Sequence, residues 1–215
     1  MAGERSYGDQ CGVARSLDVI GERWALLIVR ELLLGPRRFN DLLAALPGAS
    51  PNVISTRLRE LTERGVVRRR DLGPPTRVRL YELTEWGQEL EPVLVHLGQW
   101  GQQAPLPDGA EVGLDSVLLA IQGAARPAGP GGRYELHIGA DIFTADTTSG
   151  AARFRRGRAD QPQATLTAGP DTFKAVAFGQ RPARDARESG DLRIEGHARA
   201  ARDLEKLLLT LIESG

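Results

Sequence analysis

Ser50 and Pro51 open a segment whose start and end are both marked. A serine oxygen can accept one of the unpaired N–H groups of a first helical turn, and proline suits the first helical position, so a helix starts at Pro51. Ile54, Leu58 and Leu61 fall at i, i+4 and i+7 and make one buried stripe, which turns Asn52, Ser55, Thr56, Arg57 and Arg59 toward other faces. Gly65 stops the helix as a left-handed C-cap. Two strands then follow, at residues 66–70 and 77–83, separated by the turn-rich DLGPPT.

The residues before this segment read as three short helices. Val13, Leu17 and Ile20 share one face of the first; the second spans residues 22–34 and is stopped by Gly35 and Pro36; the third spans 38–45 and is stopped by Pro47 and Gly48. A further helix begins after Thr84. Short helices followed by a two-stranded hairpin form a winged helix, in which the helix just before the hairpin can enter the major groove of DNA. Charge agrees with that reading. Between Arg37 and Arg79 ten arginines face four acids, Asp41, Glu60, Glu63 and Asp71, although the whole chain balances 28 basic against 28 acidic residues. A basic patch on a neutral protein is expected of a surface that meets phosphates selectively.

The passage QWGQQAPLPD at 99–108 cannot extend a helix, and it divides the 215 residues into parts at 1–104 and 105–215. RPAGPGG at 126–132 is a second break and lacks the glycine order of a phosphate-cradling loop. The second part reads as a helix at 111–125 and four strands at 134–138, 142–148, 151–155 and 164–167, expected to form an antiparallel meander. A helix at 171–178, a polar stretch to Gly190, a strand at 191–195 and a final helix at 198–212 complete an α+β layer. Leu204, Leu207, Leu208 and Leu211 give the last helix a broad apolar face.

Several function classes fall away. The longest apolar runs, such as Trp24 to Val29, are too short to cross a bilayer, and Glu4, Arg5 and Asp9 precede any apolar run, unlike a signal peptide, so a cytoplasmic location is expected. Cys11 is the single cysteine, and His96, His137 and His197 are far apart, so neither a disulfide nor a metal site is expected. Without a GxSxG elbow, an HExxH or a spaced Cys/His pair, no catalytic residues and no cofactor are assigned.

The stretch from Cys11 to Trp100 resembles the HxlR-type bacterial transcriptional regulators. The resemblance lies in the cysteine before the GxxW of Gly21 and Trp24, the GPRRFNDL starting at Gly35, the S-x-x-x-x-[ST]-x-R-L-x-x-L starting at Ser50, and the LTEWG starting at Leu83. It implies a homodimer built through the first and last helices of this part, reading a pseudo-palindromic operator in double-stranded DNA. Arg37, Arg38, Ser50, Asn52, Ser55, Thr56, Arg57, Arg59 and, on a wing stiffened by Pro74 and Pro75, Arg77 are the candidate DNA contacts. The passages ADQPQATLTAGPDTFKAVAFGQ and SGDLRIEGHARAARDLEKLL are similar to the sterol carrier protein family. That resemblance implies an apolar cavity between sheet and helices for a small hydrophobic or aromatic ligand, with Phe143, Phe154, Phe173, Val176, Phe178, Leu204 and Leu208 as candidate lining.

Each feature also has a plainer meaning. The polar side of the helix at 51–64 could be ordinary solvated surface, and Arg68, Arg69 and Arg70 alternate on a strand, so only part of that run can face DNA. Trp24, Trp86 and Trp100 read as core or dimer anchors, and Phe143, Phe154, Phe173 and Phe178 as filling the second core, with some of them lining its cavity. In some HxlR relatives the cysteine matching Cys11 senses electrophiles or oxidants; a small apolar residue beside a dimer interface is the alternative. Two other functions stay open: a hydrophobic-ligand carrier whose winged helix serves only to dimerise, and a redox-sensing repressor acting through Cys11.

Overall fold

A computed structural model describes residues 6–73, 78–105, 109, 111–127 and 131–213. The chain divides into two compact units, Met1–His96 and Leu97–Gly215, and each has its own core.

The first unit begins with α1 (Gly12–Ile20), α2 (Ala25–Leu33), α3 (Phe39–Ala45) and α4 (Pro51–Glu63). Its core is formed by Ile28, Val29, Leu32, Leu42, Ile54, Leu58 and Leu61, all close to fully buried, so the stripe read on α4 is the face that packs. Ser50 caps α4 by accepting the Val53 N–H at 3.4 Å, Pro51 occupies the first turn, and Gly65, at φ 76°, ends it in the left-handed region. The hairpin follows as β1 (Val67–Asp71) and β2 (Arg79–Leu83), antiparallel, with Val67 opposite Leu83 and Asp71 opposite Arg79. Together these elements make a winged helix-turn-helix.

Where one helix was expected after Thr84, there are two, α5 (Glu85–Gln88) and α6 (Leu90–Gly101). The break has a packing cause. The Thr84 hydroxyl donates to Gly65 O at 2.7 Å and accepts the Gly87 N–H at 3.1 Å, which holds the first turn against the start of β1. Gly87 is pressed so closely on the Val66 carbonyl that any Cβ would collide with it, and the chain starts a new helix three residues later.

The second unit is α+β. After α7 (Leu114–Ala124) come β3 (Arg133–Ile138), β4 (Asp141–Asp146), β5 (Arg153–Arg156), β6 (Ala164–Ala168), α8 (Pro170–Ala177), α9 (Ala183–Glu188), β7 (Leu192–Gly196) and α10 (Ala198–Glu213). The sheet order is β5-β4-β3-β6-β7. Only β3, β4 and β5 form a meander. The expected fourth antiparallel strand, β6, instead crosses to the far side of β3 and pairs with it in parallel, Tyr134 opposite Ala164 and Ile138 opposite Ala168. The segment expected as a polar stretch contains α9, whose Ala183 and Ala186 are buried. Alternation along the strands sends Leu136, Ile138, Phe143, Ala145, Phe154 and Leu166 to one face, where α7, α8 and α10 pack. The opposite face carries Arg133, Glu135, Thr144, Asp146, Arg153 and Arg155.

Candidate nucleic-acid interface and ligand pocket

Helix α4 offers its polar side to solvent. Asn52, Ser55 and Arg59 are exposed and Thr56 is half-buried, while Arg59 is only loosely held by Glu63 at 3.9 Å. These side chains are free to reach a base edge or a phosphate. Arg57 is placed differently from its neighbours. It pairs with Glu22 at 3.3 Å and closely with Glu60, and its buried Nε has no partner, so it ties α4 to the segment before α2. The Ser50 hydroxyl is engaged as the cap.

Arg37 is also held inside the unit. Glu31, 3% exposed, pairs with Arg30 at 2.8 Å and Arg37 at 3.1 Å, and Arg37 Nε donates to the Glu31 carbonyl. The Arg37 backbone exchanges two hydrogen bonds with Tyr81 on β2, so this cluster anchors the hairpin to α2. Arg38 is exposed at the start of α3, where its N–H is accepted by Asp41. On the hairpin, Arg68 and Arg70 converge on Glu82 at 2.8 and 3.4 Å, whereas Arg69 lies over the Tyr81 ring. Arg77 lies outside the described residues.

Cys11 is exposed and sits at the N-cap of α1. The Val13 and Ala14 N–H groups lower its thiol pKa by favouring the thiolate, as expected at a helix start. Val13 and Leu17 on α1, Trp86 on α5, and Val93, Leu97 and Trp100 on α6 are large apolar side chains left in solvent. Trp86 and Trp100 therefore lie outside the core of a single chain.

In the second unit Phe143, Phe154, Phe173, Val176, Leu204 and Leu208 are buried in the core, and Phe178 is exposed. None of these seven lines the open space beside α10. That pocket, about 410 Å³, lies between the end of α7, the start of β3 and the flank of α10. Small residues make room for it. Ala124, Ala125, Pro127 and Leu207 supply its apolar wall and the Tyr134 ring its base, with Thr147, Arg126, Lys206 and Asp203 at polar positions. Burial raises the Tyr134 hydroxyl's pKa, and Thr147 hydrogen-bonds to it. Residue identity alone gave only a weak signal for this site, a pair of alanines closing α7 opposite a leucine-rich helix.

Residues 19–107 match the model of the HxlR-like helix-turn-helix family. The HTH-type transcriptional regulator YvaP of Bacillus subtilis is 43% identical over 90 residues, covering 41% of this chain and 82% of that protein. The chain belongs to the HxlR-like family. Another relative, the HTH-type transcriptional regulator sll1512 of Synechocystis, is 40% identical over 96 residues, 44% of this chain and 70% of its own. Among solved structures, oxidised redox regulator HypR is 32% identical, covering 45% of this chain and all of its own at TM-score 0.42. The reduced form of YodB from Bacillus subtilis is 29% identical, covering 48% of this chain and all of its own at TM-score 0.40. Beyond the HxlR-like part, residues 123–209 match the SCP-2 sterol transfer family. No helix among the described residues is long and apolar enough to cross a membrane.

Proposed function

We propose that this chain is a homodimeric transcriptional regulator in which residues 1–104 bind an operator and residues 105–215 bind a small hydrophobic or aromatic ligand that modulates operator affinity. The observation that carries the DNA-binding part is the solvent face of α4, where Asn52, Ser55 and Arg59 stand uncovered beside the hairpin while the apolar stripe behind them is buried. Arg38 and Thr56 are further contacts in this reading, and Arg77 is a contact expected from its sequence position alone. Arg37 and Arg57 act as positioning residues, because their guanidinium groups are held by carboxylates of the same unit.

The exposed apolar side chains of α1, α5 and α6 support dimerisation through those helices, since water-facing tryptophan and valine at this density mark a surface that is covered in the assembly. The pocket beside α10 supports ligand binding: its volume is in the range of small-molecule sites, and an apolar wall facing a comparable polar one, with Arg126, Thr147, Asp203, Lys206 and Thr210, suits an amphiphilic guest. A guest there would alter the dimer's operator affinity by the same coupling with which operator alters its affinity for the guest.

Genome-wide recovery of DNA bound to the chain, followed by anisotropy on the recovered sites, tests this reading. Asn52→Ala and Arg59→Ala are expected to weaken operator binding by about 1–3 kcal/mol each where the residue reads a base. Binding unchanged in both variants overturns the assignment of α4. A chain that binds the hydrophobic dye anilinonaphthalene sulfonate but no duplex favours the carrier reading. A second reading, thiol sensing through Cys11, is favoured by the exposed, pKa-lowered thiol; loss of operator binding on oxidation that Cys11→Ser abolishes would establish it as the input.

A further inference from the structure

The sheet face turned away from α7, α8 and α10 contains a groove of about 550 Å³ with a basic lining. β5 supplies three of its five arginines. Phe154 points into the core, so its neighbours Arg153 and Arg155 both stand on the outer face, about 7 Å apart along the strand. Arg133, two strands away on β3, adds a third guanidinium on that face, about 10 Å across. Arg158 follows from the loop after β5. Arg156, held by Asp115 and by Asp141 at 3.0 Å, the Thr144, Thr148 and Ser149 hydroxyls and Ala159 complete the lining, and Asp146 and Asp160 are its acids.

The groove is held in shape by buried partners. Glu135, only 6% exposed, accepts the Ala159 N–H at 2.8 Å and lies 2.6 Å from His137 Nε2, and the Thr144 hydroxyl donates to Gly157 O at 3.1 Å. The loop bearing Arg158 is therefore pinned across the sheet. Asp146 is occupied by the Thr148 N–H and hydroxyl and by Arg133 at 3.4 Å, which offsets part of its charge. Arg155 has no ion-pair partner among the described residues, and Arg158 is 72% exposed with only a 3.5 Å contact to Glu135.

We propose that this groove is a second nucleic-acid contact, one that grips the phosphate backbone of duplex DNA without reading its sequence. Its chemistry selects the class of partner. Guanidinium forks and hydroxyls are suited to phosphate oxygens, while Ala159 is the lone apolar side chain of the lining and no aromatic ring is present to hold the organic part of a small ligand. β5 is an edge strand, so the groove opens at the sheet margin, where a large polyanion can approach. The choice of DNA as that polyanion rests on the DNA-binding reading of the first unit.

The test is fluorescence anisotropy of the full chain on a mixed-sequence 40-base-pair duplex from 50 to 200 mM KCl. Arg155→Ala/Arg158→Ala is compared with wild type, with Arg155→Lys/Arg158→Lys and with Arg38→Ala/Arg59→Ala, all checked for unchanged melting. Each phosphate contact contributes about 0.9 to the salt slope, so the alanine pair should lower the slope by about two units and lose about twelvefold less affinity over that salt range than wild type. The lysine pair, which keeps the charge, should retain the wild-type slope. An unchanged slope in Arg155→Ala/Arg158→Ala while Arg38→Ala/Arg59→Ala weakens binding overturns the groove and leaves α4 standing. A wild-type chain that binds no duplex overturns both. Calorimetric binding of inorganic tripolyphosphate that the alanine pair abolishes, with the DNA slope unchanged, reassigns the groove to a small phosphate ligand and overturns the DNA contact.

Discussion

Replacing Glu31 with alanine should unlock the first unit. Its carboxylate, at 3% exposure, accepts Arg30 Nε at 3.0 Å and Nη2 at 2.8 Å and pairs with Arg37 Nη2 at 3.1 Å. Arg37 in turn exchanges backbone hydrogen bonds with Tyr81 at 3.0 and 2.8 Å. Removing one member of a buried pair leaves the other charge without its counterion, which in proteins costs about 3–5 kcal/mol. Arg30 and Arg37 keep 25% and 14% exposure, so water can relieve part of that cost and the low end, about 3 kcal/mol, applies. For a unit of this size that corresponds to a fall in melting temperature of about 12–24 °C, or about 1.5 M in urea midpoint at a slope near 2 kcal/mol per molar. Urea titration followed by tryptophan fluorescence reads the change, because Trp24 and Trp86 both belong to this unit. Asp71→Ala, which breaks the exposed pair with Arg79 in the same unit, is the control and should shift stability by less than about 0.5 kcal/mol. A Glu31→Ala loss no larger than the control's would refute the view that this carboxylate holds the hairpin to α2.

Three further outcomes are expected. Gly87→Ala should destabilise the first unit by about 1–3 kcal/mol, since its Cβ meets the Val66 carbonyl; a neutral result in the same titration would show that α5 can shift without cost. Glu135 has a folded pKa held down by the hydrogen bond from His137 and by the Ala159 N–H, against burial. Its stabilisation is therefore full above the unfolded value of about 4.3 and is lost as pH falls through the lower folded value. Glu135→Gln should destabilise the second unit at pH 7 by more than at pH 3, and a deficit independent of pH would remove the carboxylate's role. Cys11 should react with iodoacetamide along a pH profile whose midpoint lies below that of glutathione, because the Val13 and Ala14 N–H groups favour the thiolate; a midpoint at or above glutathione's would contradict this.

What could be read from residue order was what local rules determine. Helix α4 was legible from end to end because its cap, its proline, its stripe and its terminal glycine act within a few residues of one another. The role of Arg57 was not, since Glu22 lies 35 residues earlier and nothing near Arg57 announces that partner. The direction of β6 was hidden for a similar reason: ATLTA alternates identically whether its neighbour runs with it or against it, and only the path of 157–163 decides. The phenylalanines of the second unit were legible as core, which holds for Phe143, Phe154 and Phe173 though not for the exposed Phe178, and none of them borders the pocket beside α10. The room left beside α10 belongs to alanines, whose signal is the absence of volume.

The parallel partnership of β3 and β6 also sets an order of events during synthesis. The ribosome releases the β3-β4-β5 meander first, and one margin of β3 stays bare until Ala164–Ala168 has emerged. The apolar face stays without α10 for longer still, a delay of several seconds at roughly 5–20 residues per second. During that interval the nascent sheet offers two unpaired margins to other chains. The β5 margin is shielded from the start by Arg153 and Arg155, which hinder edge-to-edge pairing. The β3 margin carries charges of both signs on that face, Arg133 and Glu135, which repel a second copy less than like charges do, so the nascent chain's exposure to misassembly ends only when β6 closes it.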